Sequence, residues 1–117
     1  MNRSLAHLGM AKKAGFLAVG SEAAATAARR GDARLIITAS DASEGSIRRA
    51  KANAEANGVT YLAVPFTMFE LGNTAGHGSP GTIAFLDKGL ADGFIKRLAD
   101  TQTEARAETS NVKESDA

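Results

Sequence analysis

One stretch of the chain decides the fold: residues 20–39, which read GSEAAATAARRGDARLIITA. Its first part is rich in alanine, the residue with the highest intrinsic helix propensity, and lies between two glycines. We expect a helix from Glu22 to Arg30, with Ser21 as its N-cap. The second part, residues 33–39, is an apolar run with β-branched residues, which is typical of a buried central strand. The stretch therefore predicts a helix followed by an interior strand of an α/β domain.

Helix and strand patterns alternate along the rest of the chain as well. The sequence predicts a first helix over residues 4–14, with Ser4 as its N-cap, and a short apolar strand over residues 16–19. Beyond residue 39 the predicted elements are, in order, a helix that begins with Asp41 as its N-cap, a strand over residues 59–64, a helix that begins at Thr67, a strand over residues 82–86 and a helix that begins at Asp87. Asp41 and Thr67 each precede a glutamate by three residues, which is the capping-box spacing. The order α-β-α-β-α-β-α-β-α indicates the α/β class, as a three-layer α/β/α sandwich with a mixed four-stranded sheet.

The composition is typical of one small domain. The chain has 117 residues, of which 44% are hydrophobic, and it contains no cysteine. Disulfide bonds, thiolate metal sites and cysteine nucleophiles are therefore excluded. No stretch approaches the roughly 20 apolar residues that cross a bilayer, and the first residues lack the apolar run of a secretory signal. We expect a cytoplasmic protein with no membrane partner, folded over residues 1–99.

Charge divides the chain into a basic body and an acidic end. Residues 3–97 carry 12 basic and 8 acidic side chains, whereas residues 100–117 carry 2 basic and 5 acidic ones. A basic body is compatible with a nucleic-acid partner, although the same charge is ordinary for a solvated surface. The last segment, residues 100–117, is polar and rich in threonine, serine and glutamate, so we expect a disordered acidic tail.

No combination of side chains in the sequence indicates an enzyme. His7 and His77 are far apart and lack the companions of a metal site. Ser21 and Ser79 lack a recognisable base and orienting group. The glycine-rich loop GHGSPG, residues 76–81, lacks the lysine and the following helix of a phosphate-binding loop. We therefore predict a non-catalytic protein with no cofactor and no metal.

The start of the alanine-rich helix has two interpretations. Gly20 permits a sharp turn, and the first N–H groups of a helix carry partial positive charge that can hold a phosphate or a base edge. In the simpler interpretation, Ser21 only caps the helix and Glu22 only complements its dipole. The stretch by itself does not separate these two interpretations.

Several motifs are distinctive in combination. They are LGMAKKAG at residues 8–15, VGSE at 19–22, RRG at 29–31, ARLIITASDAS at 33–43 and VPFTMFELGNTAG at 64–76. Together they resemble a stand-alone bacterial member of the ribosomal L7Ae/L30e family, and the resemblance covers residues 5–98. It implies a small α/β/α domain that binds structured, kink-turn-like RNA and associates with ribosomal RNA. No DNA partner is expected.

The resemblance also implies where RNA binds. In the family two neighbouring segments hold the RNA, and they correspond here to residues 20–26 and 76–81. Polar groups at the helix start read base edges exposed where the RNA bends, the loop packs against a splayed nucleotide, and basic side chains hold phosphates. The implied RNA-binding residues are Lys12, Lys13, Gly20, Ser21, Glu22, Thr26, Arg29, Arg30, Gly76, His77, Gly78 and Ser79.

Two positions of the helix start differ from the family's pattern. Relatives commonly carry a polar residue where this chain has Ala23, and a lysine where it has Thr26. An alternative hypothesis is therefore a protein-interaction domain of the same fold that has lost specific RNA binding. The apolar side chains that motivate this alternative are Phe16, Phe66, Met68 and Phe69.

Overall fold

The computed structural model describes residues 3–76 and 78–100. In chain order the helices and strands are α1 (Arg3–Lys13), β1 (Leu17–Val19), α2 (Ser21–Arg29), β2 (Leu35–Thr38), α3 (Glu44–Ala56), β3 (Thr60–Ala63), α4 (Met68–Ala75) and β4 (Thr82–Phe85). A fifth helix, α5, occupies residues 88–100. The alternating order predicted from the sequence is thus confirmed. Of the predicted tail, residues 100–117, all but the helical Asp100 lies outside the described residues.

The four strands form one mixed sheet in the order β1-β4-β2-β3. Strands β2 and β3 are parallel, whereas β4 is antiparallel to both of its neighbours, β1 and β2. The two central strands are buried along their whole length, in agreement with the continuous apolar run that the sequence shows over β2. The predicted mixed four-stranded sheet is therefore confirmed.

Alternating side chains of the central strands build two separate cores. One face of the sheet packs against α1, α4 and α5 and contributes Leu35, Ile37, Ile83 and Phe85. The other face packs against α2 and α3 and contributes Ile36 and Ala84, which are register partners. Because successive residues of a strand face opposite sides of the sheet, one apolar run supplies both cores. The result is the predicted three-layer α/β/α sandwich.

The alanines of α2 let two helices share a narrow layer. Ala24, Ala27 and Ala28 are buried and pack in one cluster with Ala50 and Ala54 of α3. Methyl side chains allow this close approach while still removing apolar surface from water. The α2 helix therefore carries its polar groups only on the outward side and at its ends.

Three helix caps differ from the sequence prediction. Ser4 lies inside α1 and is fully buried. Ser21 is the first residue of α2, whose N-cap is Gly20, and no side chain caps this helix. The N-cap of α3 is Ser43, which accepts a hydrogen bond from the Ser46 N–H at 3.1 Å, in place of Asp41.

The displaced Asp41 stabilises a different helix. Its carboxylate accepts a hydrogen bond from the Met68 N–H at 2.7 Å, at the start of α4. The predicted capping box of α4 is confirmed, because Thr67 and Glu70 each accept a hydrogen bond from the other's backbone N–H. Asp87 caps α5 as predicted, by accepting a hydrogen bond from the Leu90 N–H at 2.9 Å.

Candidate functional site

The turn into α2 and the loop before β4 are direct neighbours. The Gly20 N–H donates a hydrogen bond to the Thr82 carbonyl oxygen at 2.8 Å. The Ser21 hydroxyl lies 3.4 Å from the Thr82 hydroxyl oxygen. Because Thr82 follows the loop over residues 76–81 immediately, the two segments predicted from the sequence meet at one end of the sheet.

The loop over residues 76–81 is fixed at both ends by backbone hydrogen bonds. At its start, Gly76 adopts a left-handed conformation, with φ 75° and ψ 21°, and its N–H donates to the Gly72 carbonyl oxygen at 2.9 Å. At its end, the Gly81 carbonyl oxygen accepts a hydrogen bond from the Ala39 N–H at 3.0 Å. Gly78 and Ser79 are exposed, whereas the predicted site residue His77 lies outside the described residues.

The start of α2 presents backbone donors because its N-cap is Gly20, which has no side chain to cap them. This glycine has φ 107° and ψ 157°, a conformation that essentially only glycine adopts. The first intrahelical bond joins the Ala24 N–H to the Gly20 carbonyl oxygen at 2.9 Å. The N–H groups of the three residues before Ala24 have no partner within the helix, as in every helix, and they carry the positive end of its dipole.

Glu22 extends from this first turn and pairs with α3. Its exposed carboxylate accepts a hydrogen bond from Arg49, with which it also forms an ion pair. The hydrogen bond and then the charge of Arg49 hold the pKa of Glu22 below its usual range, and the more distant charge of Arg29 adds to the effect. Arg49 was not among the residues predicted from the sequence. The outward-facing pair of arginines at residues 48–49 was the available signal, but only the packing of α2 on α3 brings it to Glu22.

The remaining predicted residues of α2 lie along its exposed side. Thr26 accepts a hydrogen bond from the Arg29 guanidinium at 3.3 Å. Arg30 lies at the other end of the helix, roughly 13 Å from the helix start. An open groove of about 450 Å³ joins the two ends, and it is lined by Glu22, Ala23, Thr26, Ala27, Arg30, Asp32 and Leu86. The groove is lined mostly by methyl groups, with Glu22 at one end and Arg30 and Asp32 at the other.

The two predicted lysines of α1 occupy different surroundings. A Cβ atom on Gly76 would lie 3.9 Å from the Cε atom of Lys12, so the Lys12 stem lies against the start of the loop. Lys13 is exposed and lines a second groove, between α1 and α4. The structure therefore brings Lys12 to the loop and orients Lys13 towards a neighbouring surface.

The apolar residues behind the alternative hypothesis fall into two groups. Phe66 is buried in the core, and Met68 packs against that core. Phe16 and Phe69 are exposed, by 41% and 67% of their surface. Phe66 and Met68 are therefore explained by core packing. Core packing does not explain Phe16 and Phe69, because their rings are exposed.

Features of other protein classes are missing from the part of the chain that the structure describes. Within residues 3–76 and 78–100, no three histidine, cysteine, aspartate or glutamate side chains come together in a way that suits a metal ion. In the same residues no helix combines the length and the apolar character needed to span a membrane.

Comparison with known proteins identifies similar structures and the family of the chain. The structure is similar to that of a protein of unknown function from Bacillus halodurans, with a TM-score of 0.78 and 22% identity over 85% of this chain and 99% of the other. It is also similar to a 15.5 kD RNA-binding protein from Giardia lamblia, with a TM-score of 0.66 and 16% identity over 85% of this chain and 84% of the other. No curated protein matches the chain. The family model of the ribosomal protein L7Ae/L30e/S12e/Gadd45 family matches residues 3–92, and the chain therefore belongs to that family.

Proposed function

We propose that this protein is a small, non-catalytic RNA-binding protein of ribosomal type. The site consists of the start of α2 and the loop over residues 76–81. One observation supports the proposal: the hydrogen bond from Gly20 to Thr82 joins the start of α2 to the end of the glycine-rich loop, so that the two segments are neighbours at one surface. Family membership and the RNA-binding name of the Giardia lamblia protein support the same ligand class.

The chemistry of the two segments suits an RNA bend. Backbone N–H groups at the start of α2 are donors for base edges or phosphate oxygens, and the Glu22 carboxylate is an acceptor for base amino or imino groups. Ser79 offers an exposed hydroxyl on the loop, and Lys12 lies beside the loop start as a phosphate partner. Arg30 offers a second phosphate contact at the far end of the α2 groove.

We further propose that the ligand is structured, kink-turn-like RNA. We also propose that the protein is cytoplasmic and associates with the ribosome. Such a bend exposes base edges that a straight duplex covers. Ala23 and Thr26 offer fewer charged contacts than the positions of relatives that carry a polar residue and a lysine. We therefore expect a preference for bent RNA over duplex RNA that is real but modest.

A titration with two RNAs tests this function. The protein is titrated into a labelled kink-turn RNA and into a straight duplex of equal length, each at two salt concentrations. Fluorescence anisotropy then gives the affinity for each RNA and the preference for the bent one. We expect tighter binding of the bent RNA, and log K that falls linearly with log salt because phosphate contacts release counterions. Absence of binding to both RNAs at low salt would rule out the proposed function.

A pair of matched variants locates the site. Arg30, at the end of α2, and Lys96, on α5, are both exposed basic side chains, but α5 lies on the opposite face of the sheet. Arg30→Glu reverses a charge at the proposed interface, whereas Lys96→Glu makes the same change elsewhere. We expect Arg30→Glu to weaken binding about tenfold and Lys96→Glu to leave it nearly unchanged. Equal weakening by both variants would place the RNA on another surface.

A further inference from the structure

A second groove lies between α1 and α4, on the opposite face of the sheet from the α2 groove. It has a volume of about 320 Å³ and is lined by Leu5, Ala6, Gly9, Met10, Lys13, Asn73 and Thr74. A Cβ atom on Gly9 would lie 3.5 Å from the Thr74 methyl carbon, and Lys12 lies beside Gly76. The two helices are therefore in close contact at Gly9, which has no side chain to fill the groove.

Large apolar side chains border this groove without being covered. Among residues 3–76 and 78–100, the exposed large hydrophobic side chains are Met10, Phe16 and Phe69. Met10 lines the groove and is 58% exposed. Phe69 is 67% exposed and precedes the groove-lining Asn73 by one helical turn, so it lies on the same side of α4, beyond one end of the groove. Large exposed hydrophobic side chains beside a groove are typical of interaction surfaces.

The charged side chains that α1 contributes around the groove are positive. Helix α1 contains three lysine or arginine residues and no acidic residue. Arg3, Ala6, Met10 and Lys13 follow the spacing i, i+3, i+7, i+10 and so form one stripe, with a cation at each end roughly 15 Å apart. On α4, Glu70 is engaged in the capping box with Thr67.

We propose that this groove binds an amphipathic, acidic helix of a partner protein. Apolar side chains of the partner helix contact Met10 and Phe69, and carboxylates near its two ends pair with Arg3 and Lys13. This is helix-in-groove recognition, in which apolar anchors supply affinity and the flanking charges fix orientation. The inference is independent of the proposed RNA-binding function, because it uses a different face of the sandwich.

Other occupants fit the groove less well. In a symmetric pair of copies Arg3 and Lys13 of both chains would approach each other, and like charges repel. Residues 101–117 of this chain contain only Val112 as an apolar residue larger than alanine, which is too little to cover Met10 and Phe69. A partner helix with larger apolar residues and acidic ends satisfies both requirements.

The test uses the full chain and two designed peptides. Both are amphipathic helices with leucines on one face, and they differ only in that one carries glutamates near its ends and the other lysines. Amide chemical shifts of the isotope-labelled protein are recorded as each peptide is added. We expect saturable shifts confined to α1 and α4 with the glutamate peptide, and about tenfold weaker binding of the lysine peptide.

Variants separate the apolar and the charged contributions. Phe69→Asp should abolish the shifts, whereas Phe16→Asp, at an exposed ring outside the groove, should leave them unchanged. Arg3→Glu should weaken binding of the glutamate peptide about threefold to tenfold, because one exposed ion pair is lost and a repulsion between like charges is added. Lys96→Glu, outside the groove, is the control for the change in net charge.

Four outcomes would overturn the proposal: no shifts with either peptide, equal binding of both peptides, sedimentation of the full chain as a dimer that Phe69→Asp dissociates, or crosslinks between residues 101–117 and the groove. The last two would assign the groove to a second copy or to the chain's own end.

Discussion

Gly93 of α5 faces the imidazole of His7 so closely that a Cβ atom on Gly93 would lie 2.6 Å from Nε2 of His7. His7 is 93% buried, since its exposure is 7%, and its Nε2–H donates to the Leu90 carbonyl oxygen at 3.0 Å. The histidine thus links α1 to α5 across the surface of Gly93. Packing of the first helix against the last depends on the absence of a side chain at this position.

Gly93→Ala should therefore destabilise the protein. The added methyl group forces His7 away from Leu90, and overpacking of this kind costs about 1–3 kcal/mol. Chemical denaturation monitored by circular dichroism measures the change. Gly45→Ala in α3 is the matched control, because nothing lies within 4 Å of its added Cβ, and it should stabilise by about 0.5–1 kcal/mol through helix propensity alone. Equal effects of the two substitutions would contradict the contact with His7.

A second prediction concerns the conformation of Gly20. Gly20→Ala meets no atom within 4 Å, yet φ 107° with ψ 157° is strained for any side chain, so unfolding should become easier by about 1–3 kcal/mol. Gly76→Asn is the comparison, because asparagine tolerates the left-handed conformation of Gly76 and should cost about 1 kcal/mol or less. If Gly20→Ala leaves the free energy of unfolding unchanged, the turn into α2 does not have this geometry.

A third prediction separates true caps from apparent ones. Thr67→Ala removes the hydroxyl that accepts a hydrogen bond from the Glu70 N–H and should destabilise the protein by about 0.5–2 kcal/mol. Ser21→Ala should change the stability by less than about 0.5 kcal/mol, since Ser21 lies within α2 and caps nothing. Urea midpoints of the two variants distinguish these cases, and a larger effect of Ser21→Ala would show that its hydroxyl does cap the helix.

A fourth prediction concerns the pH dependence of Glu22. Its pKa is lowered because Arg49 stabilises the ionised carboxylate, first through the hydrogen bond and then through charge. The folded state therefore binds the proton more weakly than the unfolded state. The pair stabilises the fold fully above the usual glutamate pKa, and this contribution is lost as the pH falls through the lowered value.

Side-chain carboxyl NMR shifts measure this titration directly. Arg49→Ala should return the pKa of Glu22 to its usual range, apart from the smaller effect of Arg29. Arg49→Lys keeps the charge but loses the guanidinium geometry, so it should restore only part of the lowering. A pKa of Glu22 that does not respond to Arg49→Ala would disprove the pairing.

The layered fold was predictable because each element carries a local signal. The continuous apolar run of β2 and the alanines of α2 specify their secondary structure and their burial without long-range information. The strand order was not predictable, because no local sequence pattern indicates that β4 lies between β1 and β2 in the sheet. The N-caps predicted at Ser4, Ser21 and Asp41 were wrong for a similar reason: several small or polar residues lie near each helix start, and the path of the chain decides which of them is the cap.

The site was predictable in part. The resemblance to the family identified residues 20–26 and 76–81, which the fold places side by side. Arg49 was missed because its partner Glu22 is 27 residues away in the chain, and only helix packing brings the two together. The α1–α4 groove was missed although Phe69 was among the apolar side chains behind the protein-interaction alternative, because no local pattern indicates that α1 and α4 pack against each other.

The position of β4 has a consequence for how the chain matures during synthesis. Its four residues, 82–85, form the bridge between β1 and β2, which share no pairing of their own. Until residues 82–85 have been synthesised, β1 has no neighbour to pair with, and β2 of the parallel pair β2–β3 has an unpaired edge. Completion of the sheet therefore waits for its last strand, so that the nascent chain acquires its cooperative structure late.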